Sequence, residues 1–248
     1  GLGDVYKRQM DPVEILKHSA LSLSDISRRT GVSRNTLNLW LQGTTQPSLE
    51  TLDKVLCVLG YEVFLSVRRM SNASAATAAR VLLGELEDDS PEVIEWINRF
   101  RKWGDVPVDD ASPLQLIERA AWASNPYGRA GACHFLPTNP ITLASAAQAV
   151  GQRWALSGTY ARAHGPRPYP GCGGRLGSTL IWCEDPAAIL PSLPQRVRLS
   201  ADPIAGGVTL CPAAGRELDN MSVSGGVQYA SELQVDIDVH AERYAGSE

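Results

Sequence analysis

Between Ser22 and Gly60 the apolar residues Ile26, Val32, Leu37, Trp40, Leu41, Leu49, Leu52, Val55, Leu56 and Leu59 recur at helical spacing, in short bursts separated by polar turns. Each burst carries its own punctuation. Ser22 and Asp25 make a capping box, and the helix they open runs through Ile26 to about Thr30. Gly31 supplies the turn, and Ser33 is placed to cap a second helix, Arg34 to Gln42, which Gly43 ends. Pro47-Ser48 opens a third, Leu49 to Leu59, closed by Gly60. The ten apolar residues are expected to form one small core, with Arg34, Asn35, Thr36 and Asn38 facing outward near the start of the second helix.

After Gly60 the period changes. Tyr61 to Val67 alternates apolar and polar, which predicts a short strand. A lone strand needs a partner, either its own copy across a two-fold axis or a second domain. Val63 and Leu65 are the candidate dimer seam. The Ser/Ala-rich run Met70 to Ala79 reads as a linker entering a helix that ends near Glu87. A helix starting at Pro91 carries the stripe Val93, Trp96, Ile97 and Phe100, and another spans about Pro113 to Ala123. From Ala132 short strands alternate with short helices. Strands are expected at Cys133 to Leu136, Trp154 to Ser157, Thr179 to Cys183, Arg196 to Leu199, Val208 to Cys211, Met221 to Val223 and Val227 to Tyr229. Helices are expected at Thr142 to Val150, Tyr160 to His164 and Pro186 to Leu190, with a closing helix from Ser231.

The fold class is therefore α+β: an all-α helix-turn-helix domain over 10–69 with a trailing strand, a helical connector over 70–128, and a mixed α/β domain over 129–248. Residues 1–9, GLGDVYKRQ, resemble a translated sequencing adapter and are set aside, with Met10 a plausible start.

With 44% hydrophobic and 20% charged residues in 248, the chain is of ordinary globular composition, which excludes a disordered or fibrous protein. No apolar run approaches the roughly 18 to 20 residues of a bilayer span, and no leader with a cleavage site opens the chain. A cytoplasmic protein without membrane partners is expected. Five cysteines, Cys57, Cys133, Cys172, Cys183 and Cys211, are an odd count at irregular spacing, which argues for reduced thiols, with Cys57 a small core residue. Cys133, His134, His164, Cys172 and Cys183 could be gathered into a zinc site, but no pair has short ligand spacing, so no metal is expected. His18 and His240 read as solvated or capping residues.

Charge divides the chain. Residues 10–72 hold seven basic and six acidic side chains, a net of +1, whereas 73–248 hold 14 and 20, a net of −6. Any DNA surface must come from a local arrangement in the first part, and the second part suits a protein partner better than a phosphate backbone.

The segment SLSDISRRTGVSRNTLNLWLQGTTQPSLETLDKVLCVLG resembles the XRE class of helix-turn-helix proteins, the type found in phage repressors and many bacterial antitoxins. Leu23, Ser27 and Leu41 depart from the residues usual in that family. The resemblance implies binding to a double-stranded DNA operator. Arg34, Asn35, Thr36 and Asn38 stand where base edges are read in the major groove, since Arg can bridge G and Asn can pair bidentately with A. Ser22, Arg28, Arg29 and Ser33 are suited to phosphates, which position the protein without reading sequence. A one-unit reader covers a half-site, so a homodimer is expected. A helix-turn-helix can also serve as a compact protein-contact fold, which is the alternative.

Further on, the order WALSGTYARAHG, TLIWCEDPAAI, VTLCPAAG and GVQYASELQVDIDV resembles the C-terminal domain of AbiEi-type antitoxins of abortive-infection systems. That resemblance implies an autorepressing antitoxin that offsets a nucleotidyltransferase-like toxin, with a domain of degenerate nucleotidyltransferase type. The alternative is an active nucleotidyltransferase with a DNA-binding domain. Ser157-Gly158-Thr159 after a strand is similar to the Gly-Ser turn of such enzymes, which also place two carboxylates one residue apart on a strand to hold Mg²⁺. Here Glu184 and Asp185 are adjacent and point to opposite faces, and Asp236 and Asp238 fall on the closing helix, where they diverge. The run Gly171 to Thr179 lacks the lysine and spacing of a phosphate loop and precedes a strand, so it reads as a surface loop. No enzymatic activity and no cofactor are expected.

Overall fold

A computed structural model describes residues 11–64, 67–103, 112–167 and 177–245. The chain divides into two compact units, Gly1–Val67 and Arg68–Glu248.

The first unit is helical: α1 (Pro12–Lys17), α2 (Leu23–Thr30), α3 (Arg34–Leu41) and α4 (Leu49–Val58). Every one begins at a side-chain cap. Asp11, Ser22, Ser33 and Ser48 accept hydrogen bonds from the backbone N–H groups of Val13, Asp25, Thr36 and Thr51, satisfying donors that a helix start leaves unpaired. Leu16, Ile26, Leu37, Trp40 and Val55 form the core, with Leu21, Leu23, Val32, Leu41 and Leu59 packed against it. Three expectations are corrected here. Leu49, in the first turn of α4, is 48% exposed rather than core, and Cys57 is exposed as well. Leu16 of α1, which the expected core omits, belongs to that core, and its neighbour Ile15 is buried as well. Third, Tyr61–Phe64 and Val67 do not form the expected strand. A strand exists only as a hydrogen-bonded pair, and alternation supplies no partner; among the described residues none pairs with this segment. Val63 is half-buried in irregular chain, and Leu65 lies outside the described residues.

The second unit opens with α5 (Ala73–Leu82), α6 (Pro91–Lys102) and α7 (Pro113–Ala123). The run 73–79, expected as a linker, is helix: Ala75, Ala76, Ala78 and Ala79 are buried against Val93, Trp96 and Phe100 of α6 and Leu116, Ile117 and Ala120 of α7. Small side chains let the helices approach closely. Arg80, on the same helix, is buried yet paired: its guanidinium contacts Glu85 and donates to the carbonyls of Arg216 at 2.6 Å and Asp219 at 2.9 Å, as a buried charge requires.

The rest of the unit runs β1 (Cys133–Phe135), α8 (Pro140–Ala149), β2 (Trp154–Ser157), α9 (Gly158–His164), β3 (Thr179–Cys183), α10 (Pro186–Ile189), β4 (Leu199–Ser200), β5 (Val208–Pro212), β6 (Ser222–Ser224), β7 (Val227–Tyr229) and α11 (Glu232–Ala241). The strands form one sheet in the order β4-β1-β5-β3-β2-β7-β6. β3 pairs parallel with β5, with Ile181 opposite Leu210, and antiparallel with β2, with Leu156 opposite Ile181. β2 and β3 are buried throughout and β5 is buried up to Pro212, so these central strands do not alternate between buried and exposed positions.

α11 is buried on several sides at once. Val235 and Val239 join the core of the sheet, while Ile237 and Ala241 join the core of α5–α7. Between them Gln234, Asp238 and Glu242, spaced four apart, form a buried polar stripe.

Candidate nucleic-acid interface

The turn between α2 and α3 is held by local hydrogen bonds. Gly31 has φ of 75°, where a residue with a Cβ would be strained, and its N–H donates to the Ser27 carbonyl at 2.9 Å. The Thr30 hydroxyl donates to the Ile26 carbonyl at 2.8 Å and accepts from the Val32 N–H at 3.2 Å. Ser33 Oγ accepts from the Thr36 N–H at 3.0 Å and lies 2.8 Å from Thr36 Oγ1. Leu37 and Trp40, both buried, then set which side of α3 meets the core and which meets solvent.

On the outward side Arg34, Asn35 and Asn38 are exposed, and among the described residues their side chains have no hydrogen-bonding partner. The fourth expected reader, Thr36, is half-buried with its hydroxyl engaged by Ser33, so three free side chains face outward in the first turns. Of the expected phosphate contacts, Ser22 and Ser33 are both caps. Arg28 is exposed and pairs with Asp25 at 2.7 Å, whereas Arg29 is exposed and makes no such pair among the described residues. The Ser22 hydroxyl, donating to Asp25 at 2.6 Å, and the neighbouring Arg28 and Arg29 hold the Asp25 carboxyl below its ordinary range.

One outward residue lay beyond the expected set. Gln42 is exposed and still helical in backbone, with its N–H donating to the Asn38 carbonyl at 3.0 Å. It follows Arg34 and Asn38 at intervals of four, and that periodicity was its signal in the sequence.

In the second unit the Ser157-Gly158-Thr159 turn packs beneath α11. Ser157 Oγ donates to Asp238 at 2.5 Å, and Thr159 Oγ1 donates to Glu242 at 2.7 Å. Gly158 has φ of 69°, and a Cβ there would lie 3.2 Å from the Ser178 carbonyl oxygen, so the backbone itself fills the space. β3, the strand after this turn, carries Thr179, Leu180, Ile181, Trp182 and Cys183 and no carboxylate. Glu184 and Asp185 follow it in a bend, where Asp185 caps α10 by accepting from the Ala187 N–H at 2.9 Å.

Among the described residues no three His, Cys, Asp or Glu side chains cluster as metal ligands, and Cys133, Cys183 and Cys211 are free thiols. His134 Nδ1 lies 3.0 Å from Thr209 Oγ1, and the His164 ring stacks on Tyr160. Cys172 and the glycine-rich run over 171–176 lie outside the described residues. His18 ends α1 as its cap, while His240 is half-buried beside Glu118.

Among the described residues no helix is long and apolar enough to cross a membrane. No curated protein and no solved structure matches the chain. Residues 14–64 match the family model described as helix-turn-helix, so the N-terminal segment is a helix-turn-helix, a fold that suggests a DNA-binding regulator.

Proposed function

We infer that the protein is a sequence-specific DNA-binding transcriptional regulator that inserts α3 into the major groove of an operator. The observation that carries this reading is the outward face of α3: Arg34, Asn35 and Asn38 project without partners among the described residues, from a helix whose start is capped and whose opposite side is anchored by Leu37 and Trp40. Arg29 and the N–H groups at the starts of α2 and α3 face phosphates. Because the reader carries little net charge and covers one half-site, occupancy requires a homodimer on a pseudo-palindrome. The test is fluorescence anisotropy of the full chain with duplexes from upstream of its own gene. Tight, salt-dependent binding to one segment over random duplex supports the reading, and equal affinity for both refutes it.

The second unit is the effector part, and its excess of acidic residues supports a protein partner. The antitoxin role rests on the AbiEi-like sequence motifs and predicts that a toxin encoded beside this gene is neutralised by the full chain but not by residues 10–72. Catalysis is disfavoured, since the hydroxyls of the Ser157-Gly158-Thr159 turn are bonded to α11 carboxylates and β3 offers no metal-binding pair. Transfer of labelled nucleotide to RNA or protein in the presence of Mg²⁺ would reverse that ranking.

A further inference from the structure

The outward face of α3 is longer than its first turn. Arg34, Asn38 and Gln42 are spaced four residues apart and all three are exposed, so they form a single stripe along the helix. The end of that stripe is fixed. The N–H of Gly43 donates to the Trp40 carbonyl at 2.9 Å, and the N–H of Thr44 and its hydroxyl both donate to the Leu39 carbonyl at 3.0 Å. This is the double closure of a Schellman motif, and it holds the backbone helical through Gln42. Buried Leu37 and Trp40 on the opposite side fix rotation about the helix axis.

At about 1.5 Å of rise per residue the stripe is about 12 Å long. Base pairs rise by about 3.4 Å along the duplex axis and stand farther apart along the winding groove, so the stripe spans about two to three steps of a duplex. Its chemistry is uneven along that length. Arg34 offers the fork that matches the two acceptors of guanine, whereas Asn38 and Gln42 each offer the donor and acceptor pair that matches adenine.

Resting on the DNA-binding reading above, we propose that α3 lies along the groove and that Arg34, Asn38 and Gln42 read one half-site, a G·C pair under Arg34 and an A·T pair under each amide. Gln42 is thereby a specificity-determining residue, and the half-site is a mixed G and A sequence with its guanine at the end met by the start of α3.

The experiment is selection of bound duplexes from a randomised library by the full chain, sequenced for the wild type and for Gln42→Ala and Gln42→Glu. The wild type should recover one G and at least two A within about four base pairs, with the G set by Arg34 and two of the A by Asn38 and Gln42. Gln42→Ala should erase one adenine preference and weaken the wild-type site on the order of ten-fold or more, with affinity for random duplex unchanged. Gln42→Glu should exchange that adenine for cytosine, whose amino group donates to a carboxylate. A change of base identity is something a merely structural role could not produce. If both variants recover the wild-type half-site while Arg34→Ala alters it, the stripe is overturned and the shorter reading surface stands. If the full chain binds no duplex, the DNA-binding reading fails and the stripe with it.

Discussion

Replacing Asp238 with asparagine tests the buried polar stripe of α11. Asp238 Oδ2 accepts from Ser157 Oγ at 2.5 Å and Trp182 Nε1 at 2.7 Å, and Oδ1 accepts from Gln234 Nε2 at 2.9 Å. Burial raises its pKa from an ordinary 3.8 to about 7, against the three donors, which favour the charged form. The folded state therefore keeps a proton that the unfolded chain has released. The stability this group contributes is fully present below its unfolded pKa and is lost as pH rises toward the folded one. A shift of this size corresponds to on the order of 4 kcal/mol. The substituted amide would have no proton to lose, but its NH₂ group would oppose one of the three donors, a pH-independent cost of about 1 to 3 kcal/mol. Asp238→Asn should thus be the less stable protein near pH 4 and recover relative to wild type as pH approaches 7. His134 and His240, held below their ordinary pKa by burial, stabilise the fold as pH rises, but they do so in both proteins and cancel in the difference. Urea unfolding between pH 4 and 8, followed by tryptophan fluorescence, is the assay, since all tryptophans except Trp40 lie in the unit Arg68–Glu248. A difference between the two proteins that stays flat across that range refutes the reasoning.

Leu37→Ala removes a fully buried side chain and should cost about 2 to 5 kcal/mol, comparable to the whole stability of a unit this size, about 3 to 8 kcal/mol. Calorimetry should show the first unit's transition weakened or lost, the second unit's retained, and operator binding reduced. Arg29→Ala should weaken all duplexes alike and lower the slope of log affinity against log salt by about one, while Arg34→Ala should relax sequence preference by about 1 to 3 kcal/mol, both measurable in one salt titration on specific and random DNA. In the native protein alkylation should label Cys57 before Cys183 and Cys211, because Cys57 is exposed while burial pushes the Cys183 thiol up to about 12 and the Cys211 thiol well above its usual value; peptide mapping by mass spectrometry reads the order.

The helix-turn-helix was legible because its signals are local. Ser22, Ser33 and Ser48 each satisfy a backbone donor within three residues of themselves, and Gly31 accommodates its own positive φ, so no distant contact is needed to place the ends of α2, α3 and α4. The same locality placed Arg34, Asn35 and Asn38 on the outward face. Thr36 shows where that reasoning stops, since the bond that commits its hydroxyl to Ser33 depends on a side-chain rotamer rather than on a position in the period.

What only the tertiary structure decided are the matters that depend on partners far along the chain. Tyr61 to Phe64 alternates as a strand should, yet has no neighbour to pair with among the described residues, whereas Val227 to Tyr229 pairs on both sides, with β2 and with β6. The alanine-rich run over 73–79 reads as a linker by composition and becomes a buried helix because α6 and α7 supply the surface it packs on. Arg80 would be placed in solvent by its residue type. It is buried because Glu85 and the carbonyls of Arg216 and Asp219 meet it there, and two of those partners lie more than 130 residues away. Local sequence determines where helices start and stop, through hydrogen bonds it can make to itself; pairing order and the burial of charge are fixed by groups the local sequence does not contain.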